Sequence, residues 1–478
     1  MAVALTSREA VAPAINFGLL AGGEFAARVV AFAGTAYLTR RLGPAAFGIV
    51  EFALVICSYA VFAVAAGFDS VGVRDVARDP RRARSLAAGG SLVRLALAAL
   101  ALAALAGVVA QLSTPAPVRL VIALTALTVV STALDLSWVH KGLQRGRAVG
   151  LSLVLGQLVY VAILLTAVRT PDDVWIVPLA LFGGQLAGAA LLAWPLLPLR
   201  PTRDSARDGL RILAASGPMI ASRLLRAVLL GGGLIMLGLW HDSRAVGLFG
   251  AASRVGFFIM AIGTALHVSY LPPLTRAVQA GTNETRHLLR RVLELSSSLI
   301  FPLVAGGALV AESLLSTLFG APYAEAAPAL RWLLLGVGCS FVHGLFRNIL
   351  VARDRTGLDA LIMGLAAAAA LLLGALWIPG YGMTGAAAAT GVAEALALVL
   401  TVAAVRRLGV RSNLGVAARI GVAALAMTGL LWSFGSTWPL SVSVAAGAVA
   451  YGALLALLGA VPAEVAAYLG GTRERPRT

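Results

Sequence analysis

From Asn16 to Gly48 the chain reads NFGLLAGGEFAARVVAFAGTAYLTRRLGPAAFG. A bilayer core takes about 20 apolar residues per helix, and this stretch supplies one such helix before Thr39, Arg40 and Arg41 close it. The turn Leu42-Gly43-Pro44 then delivers the chain into a second apolar segment. Glu24 and Arg28 fall in the middle of the first segment, where a charge must face protein or water rather than lipid. They are four residues apart, hence on one helical face, in the Glu-before-Arg order that favours a pair. Two readings stay open: a self-neutralised pair that locks helices together, or charges that face a working cavity.

The rest of the composition agrees with a membrane chain. Of 478 residues, 59% are hydrophobic and 12% charged, against about 25% charged in soluble domains. An all-α polytopic membrane protein is expected. The net charge of +17 is carried by short arginine runs between apolar segments, not by one basic, aromatic-laced face, which excludes a nucleic-acid surface. Cys57 and Cys339 both lie inside apolar segments, so neither a disulfide framework nor a paired metal motif is expected. The histidines His140, His241, His267, His287 and His343 show no metal spacing, and no phosphate-binding loop is present. No cofactor is therefore expected, and energy would come from an ion gradient or from the membrane potential, about 2.3 kcal/mol per charge per 100 mV. Arg8 is followed by Glu9 and a full-length span, so no cleaved signal peptide is expected.

Apolar runs separated by charged or Pro/Gly turns predict about fourteen helices, near residues 14–38, 45–66, 89–110, 118–138, 149–168, 174–196, 214–239, 246–268, 293–317, 329–350, 358–378, 384–404, 415–433 and 440–459. The eight tryptophans fall near segment ends, as an aromatic belt would place them. Alternate loops carry most of the arginines, among them Arg81, the Arg200 to Arg211 run, Arg286, Arg290, Arg291, Arg411 and the arginines at 473, 475 and 477. The positive-inside rule then puts both termini in the cytoplasm, Ser205 and Ala206 inside, and Gln111-Leu112-Ser113 outside. The longest basic connection divides the chain into an N-terminal lobe, residues 1–199, a C-terminal lobe, 200–412, and a last pair of helices with a tail, 413–478. A faint repeat supports two parallel halves: Ala45-Ala46-Phe47-Gly48 recurs as Arg244-Ala245-Val246-Gly247.

Several charges lie deep in these segments. They are Glu24, Arg28 and Glu51 in the first two, Arg223 and Arg226 in the seventh, Arg254 in the eighth and Glu394 in the twelfth. Each costs at least about 2.5 to 3.5 kcal/mol at a helix centre, so together they imply a hydrated cavity. Arginine predominates, and its planar fork suits phosphate or carboxylate oxygens. An anionic substrate follows, with Arg28, Arg254, Arg223 and Arg226 as binding residues. Glu24, Glu51 and Glu394 either neutralise those arginines at rest or carry a coupling proton or cation. Arg94, Asp135, Arg347, Asp359 and Arg419, nearer the segment ends, are expected to snorkel, as are Arg119, Glu312 and Arg331. Gly231-Gly232-Gly233 predicts a bend or a close helix approach.

Leu42-Gly43-Pro44-Ala45-Ala46-Phe47-Gly48 resembles the turn after the first helix of the polysaccharide repeat-unit flippases, the O-antigen and exopolysaccharide branch of the multidrug/oligosaccharidyl-lipid/polysaccharide exporter superfamily. Gly67-Phe68-Asp69-Ser70 with Arg74-Asp75, and Leu136-Ser137-Trp138 with Gly142-Leu143, are similar to later family motifs. So are Ala245-Val246-Gly247-Leu248-Phe249-Gly250, Leu271-Pro272-Pro273, Phe319-Gly320 with Tyr323, and Ile378-Pro379-Gly380-Tyr381-Gly382. The resemblance implies two six-helix lobes related by pseudo-twofold symmetry around a cationic cavity, plus two C-terminal helices. It also implies transport of an undecaprenyl-diphosphate-linked oligosaccharide across the cytoplasmic membrane, with a polysaccharide polymerase as a possible partner. Arg28 in Ala27-Arg28-Val29 and Arg254 in Ser253-Arg254-Val255 match cavity arginines of related lipid II flippases. A further Arg-Asp pair of those flippases is replaced by Gly34 and Thr35, which favours another lipid-linked glycan.

Two other functions compete. A multidrug extruder would want an acid-rich cavity for cationic drugs. A membrane glycosyltransferase or polymerase, the enzymatic alternative, would need catalytic residues on an extended outer loop, where Asp172, Asp173, Asp242 and Glu325 are scattered.

Overall fold

A computed structural model describes residues 7–65, 67–111, 114–410, 415–434 and 438–462. Leu112, Ser113, Arg411 and the arginines at 473, 475 and 477 lie outside the described residues. Helices make up almost all of it, and no strand occurs among the described residues. In order they are α1 (Ser7–Ala65), α2 (Val73–Arg78), α3 (Ala83–Gln111), α4 (Ala116–Thr125), α5 (Leu127–Leu134), α6 (Ser137–Gly142), α7 (Gly146–Ala167), α8 (Ile176–Ala193) and α9 (Arg203–Ala215). There follow α10 (Gly217–Trp240), α11 (Ser243–Ala280), α12 (Thr282–Leu309), α13 (Ala311–Phe319), α14 (Ala327–Ala352), α15 (Thr356–Arg407), α16 (Gly415–Phe434) and α17 (Leu440–Leu457).

Twelve helical stretches among the described residues are long and apolar enough to cross a membrane. Two of them, of 61 and 52 residues, exceed twice the ~20 residues that a bilayer requires. Each is bent at a glycine in the left-handed region, Gly43 in α1 (φ 71) and Gly382 in α15 (φ 51), where a Cβ would be strained. Crossing twice in both would give the fourteen segments that hydropathy predicts. The turn at Gly43 falls where the Leu42-Gly43-Pro44 sequence predicts it.

The structure departs from the sequence reading where polar residues find partners that hydropathy does not record. The basic stretch after Arg200, expected as a connection, contains α9. Thr202 opens it with a reciprocal capping box to Ser205, and its buried Ile212 joins Phe68, Leu86, Val93 and Trp138 in one apolar cluster. Its acids and arginines knit it to neighbours: Arg82 pairs with Asp208 at 2.5 Å, and Arg211 with Asp75 at 3.2 Å. α11 and α12 likewise run well past the segments predicted for them, to Ala280 and from Thr282, with only Gly281 between. Trp138 is not part of an interfacial belt. It is buried against Phe68, ring centroids 5.5 Å apart, whereas Trp194 and Trp432 are 80% and 74% exposed. The glycine run in α10 leaves that helix unbroken; a Cβ on Gly232 would come within 3.0 Å of Leu371 Cδ2, whereas one on Gly233 would meet Ala386 at an ordinary 3.5 Å.

The chain forms two compact units, Met1–Ala227 with Asp242–Gly247, and Val228–His241 with Leu248–Thr478. The first unit is held by the Trp138 cluster, the second in part by α16 and α17, whose Met427, Leu431 and Tyr451 pack with Phe301 of α12. The changeover at Ala227 lies inside α10, so compactness does not measure the repeat boundary expected at 199/200.

Orientation can be tested at two well-chosen positions. Ser205 is fully buried, so a cysteine there would not report on topology, whereas the side chain of Asp204 is 88% exposed and Gln111 is exposed. An impermeant maleimide on intact cells should label Gln111→Cys and leave Asp204→Cys unlabelled. The reverse pattern would invert the orientation.

Candidate functional site

Within the first unit, α7 is clamped between α1 and α8 by glycines. A Cβ on Gly23 of α1 would fall 2.4 Å from the Cα of Gly150, and one on Gly184 of α8 would fall 2.3 Å from the carbonyl oxygen of Gly156. Small residues bring these backbones together, and the larger polar side chains between the contacts border a cavity of about 280 Å³. Its walls include Glu24, Asp135, Lys141, Ser152, Gln157, Tyr160 and Gln185. Lys141 is the single lysine of the chain. Ser131 donates a hydrogen bond to Gln185 Oε1, whereas the buried Oε1 of Gln157 has no hydrogen-bond partner among the described residues.

A broken helix positions Asp135. α5 ends at Leu134, Asp135 turns extended (ψ 122), and α6 begins at Ser137, whose backbone N–H and hydroxyl donate to the Asp135 carboxylate at 3.0 and 2.6 Å. Such a break frees carbonyls that need donors. Arg94 supplies them: it is 3% exposed, donates to the carbonyls of Thr132 and Asp135, and lies 5.5 Å over the Phe68 ring. The snorkelling expected of Arg94 is thus corrected. Asp359 is corrected in the same way, since it is buried and receives Arg347 Nε at 2.9 Å on both carboxylate oxygens.

The sequence candidates are distributed as follows. Glu24 is half-buried on the cavity wall, and Arg28, one turn further, is exposed. No ion pair joins the two among the described residues, so of the two readings the self-neutralised pair is not met. Glu51 is buried and does not line that cavity. Arg223 is half-buried and meets Asp69 at 3.3 Å, beyond the end of α1, so it sits toward a helix end rather than at mid-depth. Arg226 is half-buried. In the second unit Arg254 is half-buried, and Glu394, 2% exposed, borders a small cavity of about 30 Å³ with Ser253, Ser340 and Thr390. No group of three or more His, Cys, Asp and Glu fit to hold a metal occurs among the described residues.

Sequence reasoning missed Gln157, Gln185 and Lys141 as cavity residues. The two glutamines carry a usable signal, since each stands alone in an apolar helix. Lys141 and Asp135 do not, because only the helix break turns them inward.

This helical architecture recurs among solved structures. The lipid II flippase MurJ in an inward closed conformation matches with a TM-score of 0.74 at 12% identity, over 92% of this chain and 98% of that one. An inward-facing multidrug resistance MATE family transporter of the MOP superfamily matches with a TM-score of 0.61 at 15% identity, over 80% and 94%. An outward-facing one matches with 0.56 at 14%, over 84% and 96%. The fold is therefore the one that these structures share, on a multi-pass membrane chain. By sequence, residues 14–278 match the family described as polysaccharide biosynthesis protein, more than half of the chain, and the protein belongs to that family. No curated protein matches the chain.

Proposed function

We propose that the protein is a flippase that moves an undecaprenyl-diphosphate-linked oligosaccharide across the cytoplasmic membrane by alternating access, with both termini in the cytoplasm. The observation that carries this reading is the family match over residues 14–278; the arginines at 28, 226 and 254 in apolar helices support it. Their forks suit a diphosphate, and a polysaccharide polymerase would take the product. Arg223 meets Asp69 at 3.3 Å, a carboxylate that a substrate phosphate would have to displace. Deleting the gene should strand lipid-linked oligosaccharide on the cytoplasmic leaflet. Normal outer-leaflet delivery in the deletion strain would reject the reading. Multidrug export is the second reading, favoured by the shared fold of the MATE transporters; it predicts instead that the deletion sensitises cells to cationic drugs with no lipid-linked intermediate accumulating.

Glu24 is proposed to couple transport to an ion gradient, with Glu51 and Glu394 as further candidates. Because Glu24 is not ion-paired to Arg28, Glu24→Gln removes a charge without stranding a guanidinium, and the variant should fold and reach normal abundance. In liposomes it should lose the stimulation of flipping by an imposed pH gradient. Gradient-stimulated flipping at the parental level would remove Glu24 from the coupling role.

A further inference from the structure

The first unit carries a second concavity, which adjoins the polar cavity at Ala189 of α8. It is an apolar groove of about 360 Å³ between α3 and α8, walled by Ala88, Leu92 and Leu95 from one helix, Leu186 and Ala190 from the other, and ending at Pro201. Leu92, Leu95 and Leu186 are 44%, 39% and 40% exposed. In a chain this apolar such leucines face lipid, and the groove size falls within the roughly 300 to 1,000 Å³ of small-ligand sites. A plain lipid-facing surface would need no further explanation.

The end of the groove is different. Arg84 lies one turn before Ala88 on the same face of α3, and Arg200 and Arg203 flank Pro201. The neighbouring acids are already engaged: Asp208 by Arg82 and Arg211, Asp75 by Arg211, and Asp204 by Arg207. Arg84, Arg200 and Arg203 are exposed and have no ion-pair partner among the described residues. The arginines do not line the groove themselves but are neighbours of its lining residues, Arg84 one turn from Ala88 and Arg200 between Leu199 and Pro201. An apolar trough with unmatched guanidinium groups beside one end complements an acyl chain that ends in an anionic phosphate. Basic pockets between membrane helices hold lipid headgroups on this principle.

We propose that this groove is a binding site for an anionic phospholipid, with its acyl chain between α3 and α8 and its phosphate at Arg84 and Arg200.

Native mass spectrometry of the full chain, incubated in neutral detergent with equal amounts of phosphatidylglycerol and phosphatidylcholine, tests it. Each arginine at an anionic headgroup contributes about fivefold. The parent should retain phosphatidylglycerol in preference, and Arg84→Gln with Arg200→Gln should erase that preference. Ala190→Phe, which fills the groove, should lower the phosphatidylglycerol adduct, while Val449→Phe, at a 73% exposed position of α17, should not. Should the double glutamine variant fail to fold, raising the salt concentration on the parent replaces it, and must remove the preference. Equal retention of the two lipids, or an adduct insensitive to Ala190→Phe, overturns the proposal. If undecaprenyl phosphate at equal concentration takes the Ala190→Phe-sensitive position from phosphatidylglycerol, the groove belongs to a prenyl chain and the phospholipid assignment falls.

Discussion

Valine at Gly48 is expected to leave little folded protein in the membrane, and valine at Gly247 to do the same. A Cβ on Gly48 would fall 1.7 Å from the carbonyl oxygen of Ser243, and one on Gly247 would fall 1.9 Å from the carbonyl oxygen of Pro44. Overpacking costs about 1 to 3 kcal/mol where side chains can shift. Here the obstacle is backbone on both sides, so the cost should reach or exceed about 3 kcal/mol, a large share of a marginal total. The contact is reciprocal, Pro44 to Gly247 and Ser243 to Gly48, and it joins the two turns that the sequence repeat brings into register. Abundance and monodispersity in detergent measure the effect. Gly107→Val is the control, since a Cβ there meets nothing within 4 Å. Parental abundance of Gly48→Val would mean that the two turns do not pack as described.

Loss of transport with retention of the protein is the second large effect. Arg28→Ala and Arg254→Ala should each abolish flipping while abundance stays near the parental level, because Arg28 is exposed and Arg254 only half-buried. Lysine at either position should rescue in part, since it keeps the charge and loses the bidentate fork. Flipping of a fluorescent lipid-linked oligosaccharide in liposomes separates these outcomes. Full transport by both alanine variants would remove the diphosphate grip proposed for these residues.

The candidate site was legible in part. Glu24 stands out in the sequence because a carboxylate in an apolar helix has few bland explanations, and the structure places it on a cavity wall. Its presumed partner did not follow, because an i, i+4 spacing puts two residues on one face without bringing their charged ends together. Arg94 illustrates the opposite error. Its distance from the segment centre suggests escape to the interface, yet the break between α5 and α6 leaves carbonyls that a buried guanidinium satisfies. Trp138 was likewise placed at an interface by its position along the segment and in fact fills the core beside Phe68.

What the sequence by itself determined is the membrane class, the run of apolar helices and the glycine turn at Gly43, with the family recognisable from motifs along the chain. All of these depend on local quantities: the apolar length that a bilayer demands, and the φ that only glycine adopts without strain. Only the tertiary structure decided that the basic stretch after Arg200 is a packed helix, that Asp135 and Lys141 join Glu24 around one cavity, and that Arg84 and Arg200 are left without acids. The reason is physical: whether a buried or interfacial charge is satisfied depends on carbonyls and carboxylates from helices far away in the chain, and hydropathy counts residues without recording their partners.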